Sequence, residues 1–386
     1  MTYNYSFTPD SYMRDALLKR ERDGRRRALR LSRALVDFCS NDYLGFARSL
    51  ELGRELAGRF DSSAPSGLGS TGSRLISGQS ALFEKLETKI AAFHRAEAAL
   101  IFNSGYDANL GLLACLPQRG DTVIYDELCH ASLRDGTRLS FAAAFGFRHN
   151  CMQALRAKLG RANGRTFVVV ESLYSMDGDF APMAELVPLC REFGAALIVD
   201  EAHASGVCGP MGEGRVVEMG AERGVFARVH TFGKALGTHG AAVLGSALLK
   251  DYLVNFCRPF IYTTALPPHS LESIDAAYDR LPRSESARSD LCRLIRVFKD
   301  RSQSFRGALL PSESAIQSVV IPGNDRVRAA SEYLQSCGFD VRAILSPTVP
   351  KDKERLRICL HAFNSEDEVG SLCDRITSFF AGAPAF

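Results

Sequence analysis

No stretch of this chain approaches the 18 or so consecutive apolar residues that a membrane span requires, and the opening MTYNYSFTPDSYMRD lacks a charged segment followed by an apolar one. Neither a spanning helix nor a secretory leader is expected. The eleven cysteines, an odd number scattered from Cys39 to Cys373, contain no CxxC pair and no zinc-like spacing, so disulfides and a bound metal are not expected. The chain reads as a reduced, cytoplasmic protein. An excess of one charge is lacking too: 47 Lys and Arg against 44 Asp and Glu leave +3, which gives no basis for a nucleic-acid or membrane-surface partner. The local exception is RERDGRRRALR, residues 20–30, a basic run suited to an acidic ligand or partner, or to a solvated helix face. Internal repeats and low-complexity tracts are absent from the sequence.

What is present describes an ordinary globular chain: 386 residues, 46% hydrophobic and 24% charged, enough for one large domain and a smaller one. Residues 9–30 alternate charged and apolar positions at helical spacing, and ALVDFCSNDYLG reads as a short strand entering an Asn-Asp turn. From about residue 80, helix and strand alternate. ALFEKLETKIAAFH and NLGLLACL read as helices, and AALIFNSG, TVIYDE, TFVVVES, ALIVDEAH and RVHTFGK as strands. The apolar runs of these strands are nearly continuous, as in parallel strands covered by helices on both faces, so an α/β domain with a mainly parallel central sheet is expected. The double proline in FIYTTALPP marks a boundary. Beyond it lie a helix-rich stretch to about residue 307, three strand-like runs (AIQSVVIPG, GFDVRAILSPTVP, RLRICLHAF) and the helical SEDEVGSLCDRITSFF, together a small α+β domain. The expected division is an N-terminal arm, 1–45, a large domain, 46–268, and a small domain, 269–386.

Ligands of open α/β sheets bind beyond the carboxyl ends of the strands, and polar residues line up at those positions. Ser104, Gly105 and Tyr106 sit where a strand meets a helix N-terminus, a place that favours phosphate. His130 follows the next strand. Asp200 ends the strongly apolar ALIVD, and His203 lies three residues on. A carboxylate at the end of a buried strand needs a positive partner, and a protonated pyridine nitrogen serves. Lys234, in HTFGKALGTHGAAVLGS, has small uncharged flanks that desolvate an amine and leave part of it neutral, able to condense with an aldehyde. Each feature alone has an ordinary structural explanation. Together, phosphate cradle, ring-stacking His130, strand-end Asp200, His203 for the ring hydroxyl and Lys234 match the requirements of pyridoxal phosphate.

Gly67, Gly69 and Gly72 in GLGSTGSR satisfy the dinucleotide pattern G-x-G-x-x-G, but RFDSSAPS before them is no buried strand, so a nicotinamide dehydrogenase is rejected. A close approach to substrate or to a dimer partner suits that loop better.

The motifs SNDYLGF, GSTGSRLISGQSALFEKLE, FNSGYDANLG, HASLRDG, ESLYSMDGDFAPM, VDEAHASGVCG, HTFGKALG, FIYTTALPP and SPTVPKDKERLRICL, in this order over nearly the whole chain, resemble the α-oxoamine synthases. These are fold type I pyridoxal phosphate transferases that join an amino acid to an acyl thioester with loss of carbon dioxide. The resemblance implies that His130 stacks on the ring, Asp200 meets the ring nitrogen, His203 the ring oxygen, and Lys234 the aldehyde before acting as base on the α-proton. It places Ser175 near the cofactor, Thr231, Gly105 and Tyr106 on the phosphate side, and Thr263 or Thr264 on the phosphate of a neighbouring subunit, hence a homodimer. Asn41 and Arg357 are implied to bind the amino-acid carboxylate, Thr348 to border the substrate and Arg27 to meet the acyl donor.

Within the family the chain is most similar to the acyltransferases of biotin synthesis that use L-alanine and a pimeloyl thioester carried by coenzyme A or a carrier protein. Glycine- and serine-specific relatives, which make 2-amino-3-ketobutyrate or take palmitoyl groups, remain alternatives, and a non-catalytic subunit on the same fold a remote one. One departure stands out: Leu345 lies in AILSPTVP where familiar members carry arginine, which puts recognition of the far pimeloyl carboxylate in question.

Overall fold

The computed structural model describes residues 8–29, 34–62 and 68–382. Twelve strands are described: β1 (Val36–Asp37), β2 (Ala98–Phe102), β3 (Thr122–Asp126), β4 (Ala143–Phe147), β5 (Thr166–Glu171), β6 (Ala196–Asp200), β7 (Ala227–Thr231), β8 (Ala241–Gly245), β9 (Ile316–Val320), β10 (Phe339–Asp340), β11 (Arg342–Ile344) and β12 (Arg355–Cys359). Seven form the central sheet in the order β2-β8-β7-β6-β5-β3-β4. The pairs from β4 through β7 are parallel, and β8 is antiparallel to both neighbours, so six strands point one way and β8 alone runs against them. A mainly parallel sheet flanked by helices is thus present, as expected.

Side chains of a strand alternate between faces, and this alternation sorts the core. Phe167 and Val169 pack on one face with Ala108, Leu112 and Leu113, whereas Val168 and Val170 pack on the other with Leu155, Leu186 and Leu189. Burial on both faces is what makes the runs continuously apolar, and each such side chain contributes about 1.5–3 kcal/mol. β4 and β8 escape sequence reading for local reasons. AAFGF is mostly exposed, and AAVLG follows a glycine-rich turn, so neither shows a long β-branched run.

Four helices lead into the sheet or flank it early: α1 (Pro9–Arg22), α2 (Leu50–Ser62), α3 (Ala81–Phe93) and α4 (Gly105–Cys115). The helical spacing read over 9–30 gives a helix only to Arg22, because Gly24 adopts φ +60° and turns the chain. The strand expected in ALVDFCSNDYLG shrinks to β1, which pairs in parallel with β10. β9, β11 and β12 form a separate antiparallel sheet in the order β11-β12-β9. The double proline opens the helix Pro268–Arg280, whose Asp275 and Asp279 meet Arg59 of α2 at 3.0 and 2.8 Å and Lys89 of α3 at 2.5 and 2.7 Å. One apolar cluster runs from Phe38 through Leu86 and Phe232 to Val327, Ile358 and Leu372, and joins the small sheet to the flank of the large one. Gly67 and Arg30 lie outside the described residues. The glycine loop follows α2 rather than a strand, and Ser70 Oγ donates to the Leu266 carbonyl at 2.9 Å. No helix among the described residues is long and apolar enough to cross a membrane.

Candidate active site

At the carboxyl ends of β2, β3, β5, β6 and β7 lies a cavity of about 330 Å³. Of the residues singled out from sequence, Asn41, Ser104, Gly105, Tyr106, His130, Asp200, His203, Thr231 and Lys234 line it. Asn109, Ser132, Glu171 and His239 line it as well, and sequence reading passed them over. Glu171 was available by the argument applied to Asp200, since both carboxylates end a buried apolar strand and face each other in register across β5 and β6.

Lys234 follows β7 and is half-buried. Burial pulls its pKa down to about 8, against the opposing pull of the Asp200 and Glu171 carboxylates. Glu171 is raised to about 8 by burial and by the negative charge of Asp200, with Lys234 opposing. Its Oε1 accepts the His130 backbone N–H at 2.6 Å and its Oε2 that of Ser175 at 3.2 Å. Asp200 is buried. Its Oδ2 accepts from Asn109 Nδ2 at 2.7 Å and its Oδ1 from the Ala202 N–H at 2.8 Å. These neutral donors hold the carboxylate in place without balancing its charge. His130 sits at the rim, with Nδ1 2.8 Å from Ser132 Oγ, and burial leads the causes that lower its pKa.

A second group ties the cavity to the small sheet. His203 Nδ1 lies 2.8 Å from the hydroxyl of Tyr43, which donates to Asn41 Oδ1 at 3.3 Å. The Arg357 guanidinium donates to Asn41 Oδ1 at 3.0 Å and, through Nε, to the Ser175 carbonyl at 2.6 Å. Burial, with Lys234 and Arg357 adding positive charge, keeps His203 neutral. Ser175 therefore enters through its backbone and does not line the cavity.

The remaining sequence candidates lie elsewhere. Thr263 and Thr264 do not line this cavity; Asn103 Nδ2 donates to Thr263 Oγ1 at 2.9 Å and to the Thr264 carbonyl at 2.8 Å. Arg27 and Thr348 come together in a separate cavity of about 500 Å³, lined also by Arg20, Arg25, Arg26, Arg328, Arg342 and Leu345. Guanidinium groups thus surround the site of the missing arginine.

The donor set fits pyridoxal phosphate. Asp200 is a buried carboxylate whose hydrogen bonds come from neutral donors alone, and the Asn109 Oδ1 beside it is buried without a partner. At the opposite side, Ser104 caps α4 by accepting from the Asp107 N–H at 3.1 Å, which leaves the first N–H groups of the helix for an anion. A Cβ at Gly105 would collide with Thr231 Cγ2, so only glycine keeps that corner open. Among the described residues no cluster suited to a metal ion occurs.

The sequence profile of the aminotransferase class I and II family matches residues 33–376. The 8-amino-7-oxononanoate synthase of Emericella nidulans is 42% identical over 392 residues, covering 95% of each chain. Among solved structures, a serine palmitoyltransferase of S. paucimobilis with a bound PLP–myriocin aldimine superposes with a TM-score of 0.87 at 25% identity, over 96% of this chain and 97% of its own. The 8-amino-7-oxononanoate synthase of Francisella tularensis superposes with a TM-score of 0.79 at 26% identity, over 90% and 98%. With the lysine, the strand-end carboxylates and the helix N-terminus disposed as described, the chain belongs to the aminotransferase class I and II family and, within it, to the α-oxoamine synthases.

Proposed function

We propose that this protein is a pyridoxal-phosphate-dependent acyltransferase that condenses L-alanine with a pimeloyl thioester, with loss of carbon dioxide, to give 8-amino-7-oxononanoate for biotin synthesis. The observation that carries this reading is 42% identity over 95% of the chain to an 8-amino-7-oxononanoate synthase. Pyridoxal phosphate supplies an electron-withdrawing ring that stabilises negative charge at the α-carbon of the amino acid.

The residues that would hold it are Lys234 at the aldehyde, Asp200 at the ring nitrogen, His203 at the ring oxygen, His130 on the ring face, and Gly105, Tyr106 and Thr231 beside the phosphate. Asn109 steadies Asp200 by the bond to Oδ2. Arg357 and Asn41 take the carboxylate of alanine, and their mutual bond orients the guanidinium. Lys234 Nζ would take the α-proton of the bound alanine. With a pKa of about 8, roughly a tenth of the amine is neutral at pH 7, against well under a thousandth for an ordinary lysine. The bond of His130 Nδ1 to Ser132 leaves Nε2 to donate to the oxygen of the attacked thioester carbonyl, which gains negative charge. Carbon dioxide departs from the carboxyl group that Arg357 held, and Lys234 returns a proton to the carbon.

Arg27 and Thr348 bind the acyl donor, and the guanidinium groups around them suit the phosphates of coenzyme A or of a carrier protein. Thr263 or Thr264 reaches the phosphate site of a second subunit in a homodimer. A turnover panel tests the reading: thiol release from alanine with pimeloyl thioester is expected to exceed that from glycine with acetyl or serine with palmitoyl thioester. Preference for either other pair overturns it.

A further inference from the structure

The segment 172–180 leaves β5 as a tight hairpin, closed by an antiparallel bridge between Leu173 and Phe180 and by the Tyr174 N–H on the Asp179 carbonyl at 3.0 Å. Its tip offers backbone carbonyls to the small sheet. Ser175 accepts from Arg357 Nε at 2.6 Å, Met176 from Ser318 Oγ at 2.7 Å, and Gly178 from Ser312 and Ser314 Oγ, both at 2.8 Å. The Asp177 carboxylate pairs with Arg355 at 2.9 Å. Gly178 has φ +79°, and a Cβ there would strike the Ile316 carbonyl, so the hairpin is seated against β9. It follows that the position of the Arg357 guanidinium is set from both sides, by its own strand and by this hairpin.

The base of the hairpin is held in turn. Asp179 Oδ2 lies 2.8 Å from His149 Nε2 and accepts from Asn150 Nδ2 at 2.8 Å, while its Oδ1 is buried without a partner. His149 Nδ1 lies 2.9 Å from Oδ1 of Asp126, the buried last residue of β3. Asp126 Oδ2 accepts the backbone N–H of Asn150, whose φ of +49° lets main chain and side chain serve the two carboxylates at once. Each ring nitrogen of His149 therefore faces a carboxylate oxygen, and only the doubly protonated imidazolium donates to both. Its pKa rises to about 10, burial working against the bonds to Asp126 and Asp179 that win.

We infer that His149 is a positioning residue for the reaction: held between Asp126 and Asp179, it fixes the 172–180 hairpin and thereby the Arg357 guanidinium that receives the amino-acid carboxylate. The inference rests on the proposed role of Arg357. Misplacing a group that binds substrate raises KM, and it leaves kcat largely intact when the contact is equally strong in the bound substrate and in the transition state of the slowest step.

The experiment is steady-state kinetics on the holoenzyme, with pyridoxal phosphate content and Tm measured on the same samples. His149→Gln keeps a donor but loses the charge and one of the two bonds. The expected result is a KM for the amino acid raised about tenfold, kcat within about threefold, and KM for the acyl thioester and cofactor content unchanged. Adding Asp179→Asn to His149→Gln removes the unbalanced carboxylate and is expected to recover at least half of the lost apparent affinity, which a role in bulk packing does not predict. If His149→Gln is insoluble, Asp179→Asn alone, which leaves His149 on Asp126, is read in the same way. A lowered Tm with unchanged kinetics, an equal loss in both KM values, or a double variant no better than the single overturns the inference. Arg357→Lys separates the two levels: if it leaves the amino-acid KM unchanged, the proposed role of Arg357 fails; if it raises that KM while His149→Gln does not, only the role of His149 fails.

Discussion

Lys234 is a tunable amine because a desolvated site, the Asp200 and Glu171 carboxylates and the Arg357 guanidinium set its proton affinity together. Glu171 holds that affinity up, so Glu171→Gln lowers the midpoint of Lys234 further, below about 8. The check is the pH dependence of reductive trapping of pyridoxal phosphate on the cofactor-free protein; a midpoint near that of free lysine contradicts the proposed environment. Lys234→Ala removes both the attachment point and the base, and turnover is expected to fall at least about a thousandfold. Asp200→Asn keeps the bond pattern of the strand end but loses the charge, so cofactor content survives in part while turnover falls about a hundredfold or more; a near-normal rate speaks against its role. Asp200 and Lys234 were legible in the sequence because each stands at an abrupt break between an apolar strand and small residues. Glu171 carried the same mark but competed with an ordinary reading as a strand-end carboxylate, and Asn109 and Tyr43 carried none. Their importance comes from bonds to Asp200 and His203 across 91 and 160 positions.

At the scale of elements, the N-terminus of α4 and the strand end at Thr231 meet without room for a side chain. Gly105→Val is expected to cost about 1–3 kcal/mol by overpacking and to weaken cofactor affinity, measured by titration of the cofactor-free protein, with little change in KM for the acyl donor. The 172–180 hairpin adds a pH dependence of its own. The folded-state pKa of His149, about 10, lies above the unfolded value near 6.5, so its stabilisation is complete below about pH 6.5 and disappears as pH rises through 10. The imidazole faces Asp126 and Asp179, and its centroid lies 4.4 Å from that of the perpendicular Tyr174 ring, while Glu127 accepts the His149 backbone N–H. The Tm difference between the parent and His149→Gln is therefore expected to be largest near pH 6 and to shrink toward pH 10; a difference that grows with pH refutes the charged clasp. The sequence showed ESLYSMDGDFAPM as a motif, yet its task was hidden, because carbonyls at a hairpin tip act through geometry that no residue type encodes.

The whole molecule brings distant segments to one place. The run Arg25–Arg27 ends beside Arg328, Arg342 and Thr348, so the cations around Leu345 come from three parts of the chain. Replacing Arg25, Arg26 and Arg27 by Ser is expected to raise KM for the acyl thioester several-fold and to flatten its dependence on salt, with the alanine KM unchanged; equal effects on both substrates argue against a donor site there. The sequence by itself determined the alternation of helices and strands, the mainly parallel sheet and the polar residues at the strand ends, because a doubly buried strand must be apolar throughout and any polar residue at its end stands out. Only the tertiary structure decided that β8 runs against its neighbours, that β1 joins β10, that Arg357 reaches Asn41 and Ser175, and that Arg27 and Thr348 share a cavity apart from Lys234. Periodicity records which face of an element is buried; it carries no record of which remote element does the burying.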